Sequence, residues 1–338
     1  MKKVIILILS ILLLSGCDYK ELNNLGIITM ITLDYKDNSY IANVELLNIN
    51  KDSNKKSIII KSKGKTLDKA LNNAESYSEY IFNYSHLYTI IISDSLATKK
   101  QREIDDYLIR NKDLRKDFLI FYSSDIHNIL KYKTNISNSI GESIFNIVNN
   151  SKSTFLTSKY REIIHSRLNK TSYLIGNIEN KNNTFKFNNY YLFTNNKKVI
   201  IDKEYAFLYG LLNNKVKTFN INYNDNSFKV YGYNIKTKCK NNNIKIIVKP
   251  RIKILGLNNQ DIDTYKNINK LEKRLNKQIE SRINKIINYS YKENIDINNL
   301  ENIYYLKYKK HINFQKIKVN TIVKSTINEK GLSKEGIN

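Results

Sequence analysis

The pattern of apolar and polar positions predicts short strands and helices joined by polar turns. Gly26 to Leu33 is apolar and rich in β-branched residues, and Tyr40 to Leu47 alternates in part. Because Asp37-Asn38-Ser39 stands between them, this region predicts a strand, a turn and a second strand. Further strands are predicted in the first half of the chain at Ser57 to Ser62, Leu87 to Ile92 and Phe118 to Tyr122.

Helical spacing appears between these strands. Thr66 is a predicted N-cap, and the apolar positions that follow it share one helix face, namely Leu67, Ala70, Leu71, Ala74 and Tyr77. Arg102 to Arg110 predicts a helix after a turn at Asp94 to Ala97. Two more helical stretches are predicted at Asp125 to Leu130 and Ile140 to Leu168. Strands that alternate with helices predict mixed α/β layers in this half.

The second half of the chain has a different pattern. Its predicted strands are separated by Asn-rich turns and lie at Phe185 to Phe193, Lys197 to Ile201, Val216 to Ile221, Phe228 to Tyr233 and Ile244 to Ile254. Glu204 to Leu212 fits a helix or a strand, whereas Asp263 to Tyr291 is a long amphipathic helix. The last strand is predicted at Ile317 to Ile327. The predicted fold class is α+β, with mixed and antiparallel sheets in several domains and a C-terminal antiparallel sheet that carries the long helix.

The amino terminus has the features of an export signal. Lys2-Lys3 precedes an apolar run from Val4 to Leu14, which is shorter than the ~20 residues that a spanning helix needs. Leu14-Ser15-Gly16-Cys17 closes the run and resembles the lipobox of bacterial lipoproteins. We therefore expect residues 1–16 to be a signal peptide and Cys17 to be lipidated and anchored to a membrane. The alternative is a plain signal in which Cys17 is incidental.

Composition changes this picture little. Cys239 is the other cysteine, and it cannot form an internal disulfide with a lipidated Cys17, so we expect the core alone to hold the fold. The net charge of +25 is spread along the chain together with Asn, Ile and Tyr, whereas a nucleic-acid site would cluster its charge. We expect no nucleic-acid partner and a general attraction to anionic membrane surfaces.

No motif predicts catalysis, a metal or a cofactor. Gly64-Lys65-Thr66 lacks the earlier glycine of a phosphate-binding loop, so a helix cap is expected there. Asp105-Asp106 predicts a solvated helix face, and Asp261 with Asp263 has too few companions for a calcium loop. Cys239 is expected to be a small buried residue in a strand. The histidines stand far apart in sequence, at His86, His127, His165 and His311.

The long predicted helix from Asp263 to Tyr291 is basic on its outer face. Such a helix can lie on a membrane or in the groove of a partner. Its apolar face consists of Ile and Leu without aromatic residues, which favours packing on its own sheet.

Several patterns, in order along the chain, carry a family resemblance. Asp18 to Asn23 follows Cys17 and leads into the apolar Leu25 to Ile28. Gly64-Lys65-Thr66 precedes Ala70-Leu71, and His86-Leu87 opens an apolar strand to Ser93. Ala97, the helix Ile104 to Asn111 and then Leu114-Arg115 follow. Together these patterns resemble the Ger(x)C lipoprotein family, the C subunits of bacterial spore germinant receptors. The chain departs from that family in having no Trp beside Cys17 and only Ile295 to Asn298 where the family has a glycine-bearing turn.

The resemblance implies a three-domain α+β lipoprotein on the outer face of the spore inner membrane. It implies a non-catalytic subunit that works beside A-type and B-type integral membrane subunits in nutrient-triggered germination. We expect an N-terminal region at residues 17–183, with two subdomains, and a C-terminal domain at residues 184–338. The alternative functions are a solute-binding lipoprotein of a nutrient transporter and an exported wall enzyme, for which no carboxylate pair is evident.

Overall fold

The structure is a computed structural model that describes residues 24–48, 56–134, 136–151, 155–194, 197–224, 226–256 and 265–329. A nine-stranded mixed sheet occupies the first two thirds of this chain. The strands numbered up to residue 202 are β1 Leu25–Lys36, β2 Ser39–Leu47, β3 Ser57–Gly64, β4 Ile81–Asn83, β5 Thr89–Ser93, β6 Leu119–Ser123, β7 Tyr173–Asn177, β8 Glu179–Lys181, β9 Thr184–Lys186, β10 Asn189–Phe193 and β11 Lys198–Asp202. The sheet order is β11-β10-β7-β6-β5-β1-β2-β3, with β4 beside the start of β1, and β8 and β9 form a separate hairpin.

Helices cover both faces of the large sheet. The helices up to residue 212 are α1 Leu67–Ser76, α2 Asp94–Lys99, α3 Gln101–Arg110, α4 Ile126–Leu130, α5 Ile140–Ser151, α6 Tyr160–Leu168 and α7 Lys203–Leu212. Apolar residues of α1, α2, α3 and α6 share one core, and those of α4, α5 and α7 belong to a second core. Strands β5, β6 and β7 are parallel to each other and buried along their full length, because both of their faces are covered.

The second sheet is built from β12 Phe219–Tyr223, β13 Asn226–Lys240, β14 Asn243–Gly256, β15 Lys318–Val323 and β16 Thr326–Glu329. Strands β12, β13 and β14 are antiparallel neighbours. Two further helices, α8 Tyr265–Lys292 and α9 Leu300–Tyr308, connect β14 to β15. Because this long crossover returns the chain to the end where β14 began, β15 and β16 join β14 in parallel.

The long helix α8 packs on its own sheet, as its apolar face predicts. The inward residues Leu271, Leu275, Ile279, Ile283 and Ile286 are buried in the same core as β12 to β16. On the outer side, Lys285 Nζ pairs with Glu204 Oε2 of α7 at 2.7 Å. One cation of the basic face of α8 therefore forms an exposed ion pair with α7.

The α+β class is confirmed, and most predicted elements are present. The turn predicted at Asp94 to Ala97 is helix α2, which begins where Ser93 Oγ accepts a hydrogen bond from Leu96 N. The ambiguous segment Glu204 to Leu212 is helix α7. The helical stretch predicted at Ile140 to Leu168 divides into α5 and α6, because Lys159 forms a β-bridge with Leu119 between them. Tertiary pairing here overrides local helical spacing.

Candidate functional site

Cys17, to which the sequence assigns lipidation, lies outside the described residues, as do Asp261 and Asp263. The first described element after Cys17 is β1, which begins at Leu25. The lipidation of Cys17 therefore stays a prediction.

Gly64-Lys65-Thr66 forms a helix cap, as predicted. Thr66 Oγ1 accepts a hydrogen bond from Lys69 N at 3.1 Å. A Cβ added to Gly64 would lie 2.7 Å from the carbonyl carbon of Lys69, so glycine is required where β3 ends against α1. The motif therefore ends β3 and caps α1.

Asp105 and Asp106 have different roles. Asp106 is exposed and pairs with Arg110 at 2.7 Å, as expected of a solvated helix face. Asp105 is half-buried, and its Oδ2 pairs with Arg167 Nη1 of α6 at 2.7 Å. Arg167 Nε also donates to Tyr173 OH at 3.1 Å. Burial raises the pKa of Asp105, and the Arg167 charge opposes that shift. Asp105 therefore links α3 to α6, which the sequence did not predict.

The four histidines remain apart in the structure. His86, His127, His165 and His311 are all exposed. In the described ranges, no group of three or more His, Cys, Asp or Glu side chains is placed to hold a metal ion. Cys239 is buried in β13, as predicted.

A buried carboxylate that sequence reasoning missed lies at the start of α5. Glu45 of β2 is fully buried. Its Oε1 accepts from Ser57 Oγ at 2.9 Å and from Ile140 N at 2.7 Å. Its Oε2 accepts from Thr29 Oγ1 and from Gly141 N, both at 2.9 Å. Burial raises the pKa of Glu45, and these hydrogen bonds oppose the shift. Glu45 thus fastens the positive end of α5 to strands β1, β2 and β3.

Gly141 allows α5 to approach the sheet closely. A Cβ at Gly141 would collide with the carbonyl oxygen of Thr29 and lie 2.8 Å from its carbonyl carbon. The signal that the sequence offered is a charged residue between the apolar Val44 and Leu46 in a predicted strand.

The turn between α8 and α9 is fixed by a half-buried carboxylate. Asp296 accepts hydrogen bonds from Leu300 N at 2.8 Å and Glu301 N at 2.9 Å. Burial raises the pKa of Asp296 to about 6, although the two backbone bonds oppose the shift. Ile295 and Ile297 are buried on either side. The segment that departs from the resembled family therefore forms an ordered helix cap.

This turn contacts the large sheet through Ser172. Ser172 N donates to Asn299 Oδ1 at 2.6 Å, and Ser172 Oγ donates to Ile297 O at 2.9 Å. Tyr209 OH of α7 donates to Ser172 O at 2.9 Å. These bonds join the C-terminal helices to the start of β7.

A cleft of about 1200 Å³ opens beside this junction. Among its lining residues, Lys159, Arg161, Lys215 and Lys217 are cationic, and Glu162 is the counterion of Lys215 at 2.8 Å. Asn298 also lines the cleft, and within the described residues both polar atoms of its buried amide are unpaired. The excess of cationic groups suits a carboxylate-bearing ligand or partner segment more than a cationic one.

Comparisons with known proteins identify the family. The model described as spore germination protein N-terminal domain matches residues 18–179. The model described as spore germination B3/GerAC-like, C-terminal, matches residues 188–331. The chain belongs to the GerAC-like spore germination protein family. The resemblance drawn from its motifs is therefore confirmed.

A solved structure of this family supports the fold. The crystal structure of the GerBC protein superposes with a TM-score of 0.53 at 13% identity, over 88% of this chain and 96% of that chain. No curated protein matches the sequence. Throughout the described ranges, no helix is both long enough and apolar enough to cross a membrane.

The two matched ranges end at residue 179 and begin at residue 188, on either side of most of the β8–β9 hairpin, which contains the predicted boundary at residues 183 and 184. The large sheet continues across this point, because β10 pairs with β7 from Tyr190 opposite Gly176 to Phe193 opposite Tyr173. The division of this GerAC-like protein into domains stays a prediction.

Proposed function

We propose that this GerAC-like protein is a non-catalytic, lipid-anchored subunit of a spore germinant receptor, required for nutrient-triggered germination. In this proposal residues 1–16 are removed on export, and the lipidated Cys17 holds the protein on the outer face of the spore inner membrane. The observation that carries the proposal is the match of both family models in order along the chain.

The assembly partners in this proposal are A-type and B-type integral membrane subunits. The feature that supports a role in assembly is the cleft beside Ser172, where Lys159 and Lys217 add positive charge. The carboxylates of Glu45 and Asp296 accept hydrogen bonds from helix amides and so stabilise the fold.

The test is deletion of the gene and complementation with the wild type, Cys17→Ala or Cys239→Ala. Spores are scored for loss of refractility after nutrient addition and after a treatment that bypasses the receptors. We expect deletion and Cys17→Ala to abolish the nutrient response and to leave the bypass response intact. Cys239→Ala is the matched control, because it removes the buried thiol and keeps the anchor.

Protein abundance is measured in each strain by immunoblotting. A Cys17→Ala strain that germinates normally at normal abundance would refute the role of the anchor. A further strain lacks this gene and all paralogous receptor genes but retains the other subunits. Unchanged nutrient germination in that strain would refute the receptor role.

A further inference from the structure

A short segment after α1 is held against the first residues of β1. Strand β4 pairs with β1 in parallel, with Ile81 opposite Leu25 and Phe82 opposite Gly26. Phe82 N donates to Glu75 Oε1 at 2.8 Å, which fixes the segment to the end of α1. A Cβ added to Gly26 would lie 2.9 Å from Tyr80 Cβ, so the two backbones approach closely. The segment from Tyr77 to Ile81 is therefore fixed in position relative to the start of β1.

This segment exposes the apolar side chains of Tyr77 and Ile81. The exposed fraction is 67% for Tyr77 and 43% for Ile81, whereas Phe82 is buried. Tyrosine combines an apolar ring with a polar hydroxyl, and it is enriched at the interface between lipid and water. An aliphatic side chain beside it adds apolar area that can enter the acyl region.

The length of chain before β1 places this end of the protein next to the anchor. Leu25 is the eighth residue after Cys17. A fully extended chain of that length reaches at most about 28 Å. The other end of β1, at Lys36, lies about 36 Å beyond Leu25 along the strand. A lipidated Cys17 therefore keeps the start of β1 close to the bilayer, while the hairpin turn after Lys36 can lie far from it.

Two exposed residues of opposite charge flank this surface. Glu79 is exposed in the segment, and Lys56 is exposed where β3 begins. Lys56 lies at the same end because Asn48 N donates to Lys56 O at 2.9 Å, next to the end of β2. These two charges offset each other, so the apolar side chains of Tyr77 and Ile81 are the feature of this surface that favours contact with a bilayer.

We propose that Tyr77 and Ile81 form a membrane-contacting surface whose side chains lie at the lipid–water interface of the bilayer that holds the anchor. This inference rests on the lipidation of Cys17 in the proposed function. It adds an orientation, because the start of β1 points toward the membrane and the turn after Lys36 points away from it.

The test uses the full mature lipoprotein in vesicles of phosphatidylcholine and phosphatidylglycerol. In a Cys239→Ala background, single cysteines replace Tyr77, Ile81, Lys36 or Ile200, and each is labelled with an environment-sensitive fluorophore. Lys36 is the control for the far end of β1. Ile200 is the matched apolar control, since it is 59% exposed on the edge strand β11. Intact mass establishes whether Cys17 carries lipid, and thermal melting establishes that each variant is folded.

The expected result is a blue-shifted emission and strong quenching by spin-labelled lipid at positions 77 and 81, and neither effect at positions 36 and 200. The opposite result, in protein whose mass shows the lipid, is quenching at positions 77 and 81 that is no stronger than at positions 36 and 200. That result would overturn the membrane-contacting surface and leave the proposed anchor intact. A mass without lipid would overturn the anchor and, with it, this inference.

Discussion

Replacement of Glu45 tests how the large sheet holds its helices. Each carboxylate oxygen accepts one bond from a hydroxyl group and one from a backbone amide of α5. In Glu45→Gln, the side-chain amide nitrogen replaces one of these oxygens. A hydroxyl group can rotate and accept a hydrogen bond from this nitrogen, whereas a backbone N–H can only donate and would be left without an acceptor. In Glu45→Ala, both amides and Ser57 Oγ lose their acceptor, while Thr29 Oγ1 keeps the backbone carbonyl oxygen of residue 45 at 3.4 Å.

The expected magnitudes follow from the number of unpaired amides. A buried N–H without an acceptor costs about 1 to 3 kcal/mol. We expect Glu45→Gln to lower the free energy of unfolding by about 1 to 2 kcal/mol, because relief of the buried charge offsets part of the loss. We expect Glu45→Ala to lower it by about 3 to 5 kcal/mol, since two amides lose their acceptor and a cavity remains. The exposed Glu79→Gln is the control, with a change within about 0.5 kcal/mol.

The assay is urea unfolding of the Cys17→Ser form, followed by circular dichroism at several pH values. Folding raises the pKa of Glu45, so the folded state retains a proton at pH values where the unfolded state has released it. The contribution of this group to stability therefore increases as the pH falls through the raised pKa. The stability difference between wild type and Glu45→Gln should widen in the same direction.

Two results would refute this reasoning. The first is an unfolding midpoint for Glu45→Gln equal to that of the wild type. The second is a loss below about 1 kcal/mol for Glu45→Ala, which is less than one buried amide is expected to cost. Either result would mean that water or a shifted helix satisfies the amides of α5.

Three further predictions use the same unfolding measurement. Gly141→Ala should destabilise the protein by about 1 to 3 kcal/mol, because the added Cβ would collide with the backbone of Thr29. Gly256→Ala is the control and should change stability little, since its added Cβ has no atom within 4 Å. Equal losses in the two variants would contradict the close approach of α5 to the sheet. Arg167→Ala should cost about 2 kcal/mol because it strips a half-buried carboxylate of its partner, while the exposed Arg110→Ala should cost less than about 0.5 kcal/mol. Because the pKa of Asp296 is raised in the folded state, the wild type should gain about 2 kcal/mol of stability as the pH falls from about 6 toward 4. Asp296→Asn should abolish this gain. A variant with the same pH profile as the wild type would rule out the raised pKa.

Local patterns accounted for the elements that local interactions specify. Thr66 was recognised as an N-cap because the capping hydrogen bond to Lys69 N involves residues three apart. The helix α8 was recognised because its apolar residues recur at helical spacing over many turns. Recognition of the family likewise depended on short motifs such as His86-Leu87, which can be read along the chain.

Contacts between distant segments escaped prediction. Asp105 looked like part of a solvated helix face, yet Arg167, which lies far along the chain, pairs with it. The parallel pairing of β15 with β14 depends on the path of α8 and α9, which no local pattern specifies.

By itself, the sequence determined the strands and helices with strong periodicity, the α+β class, the family and the expectation of an anchor at Cys17. These properties depend on residue type and on spacing within a few turns or strand residues. The tertiary structure alone decided that the polar face of β2 is covered. Alternation places Glu45 opposite its neighbours Val44 and Leu46, where water would normally be expected. Helix α5 lies there instead, and its amides satisfy a carboxylate almost a hundred residues away in the chain.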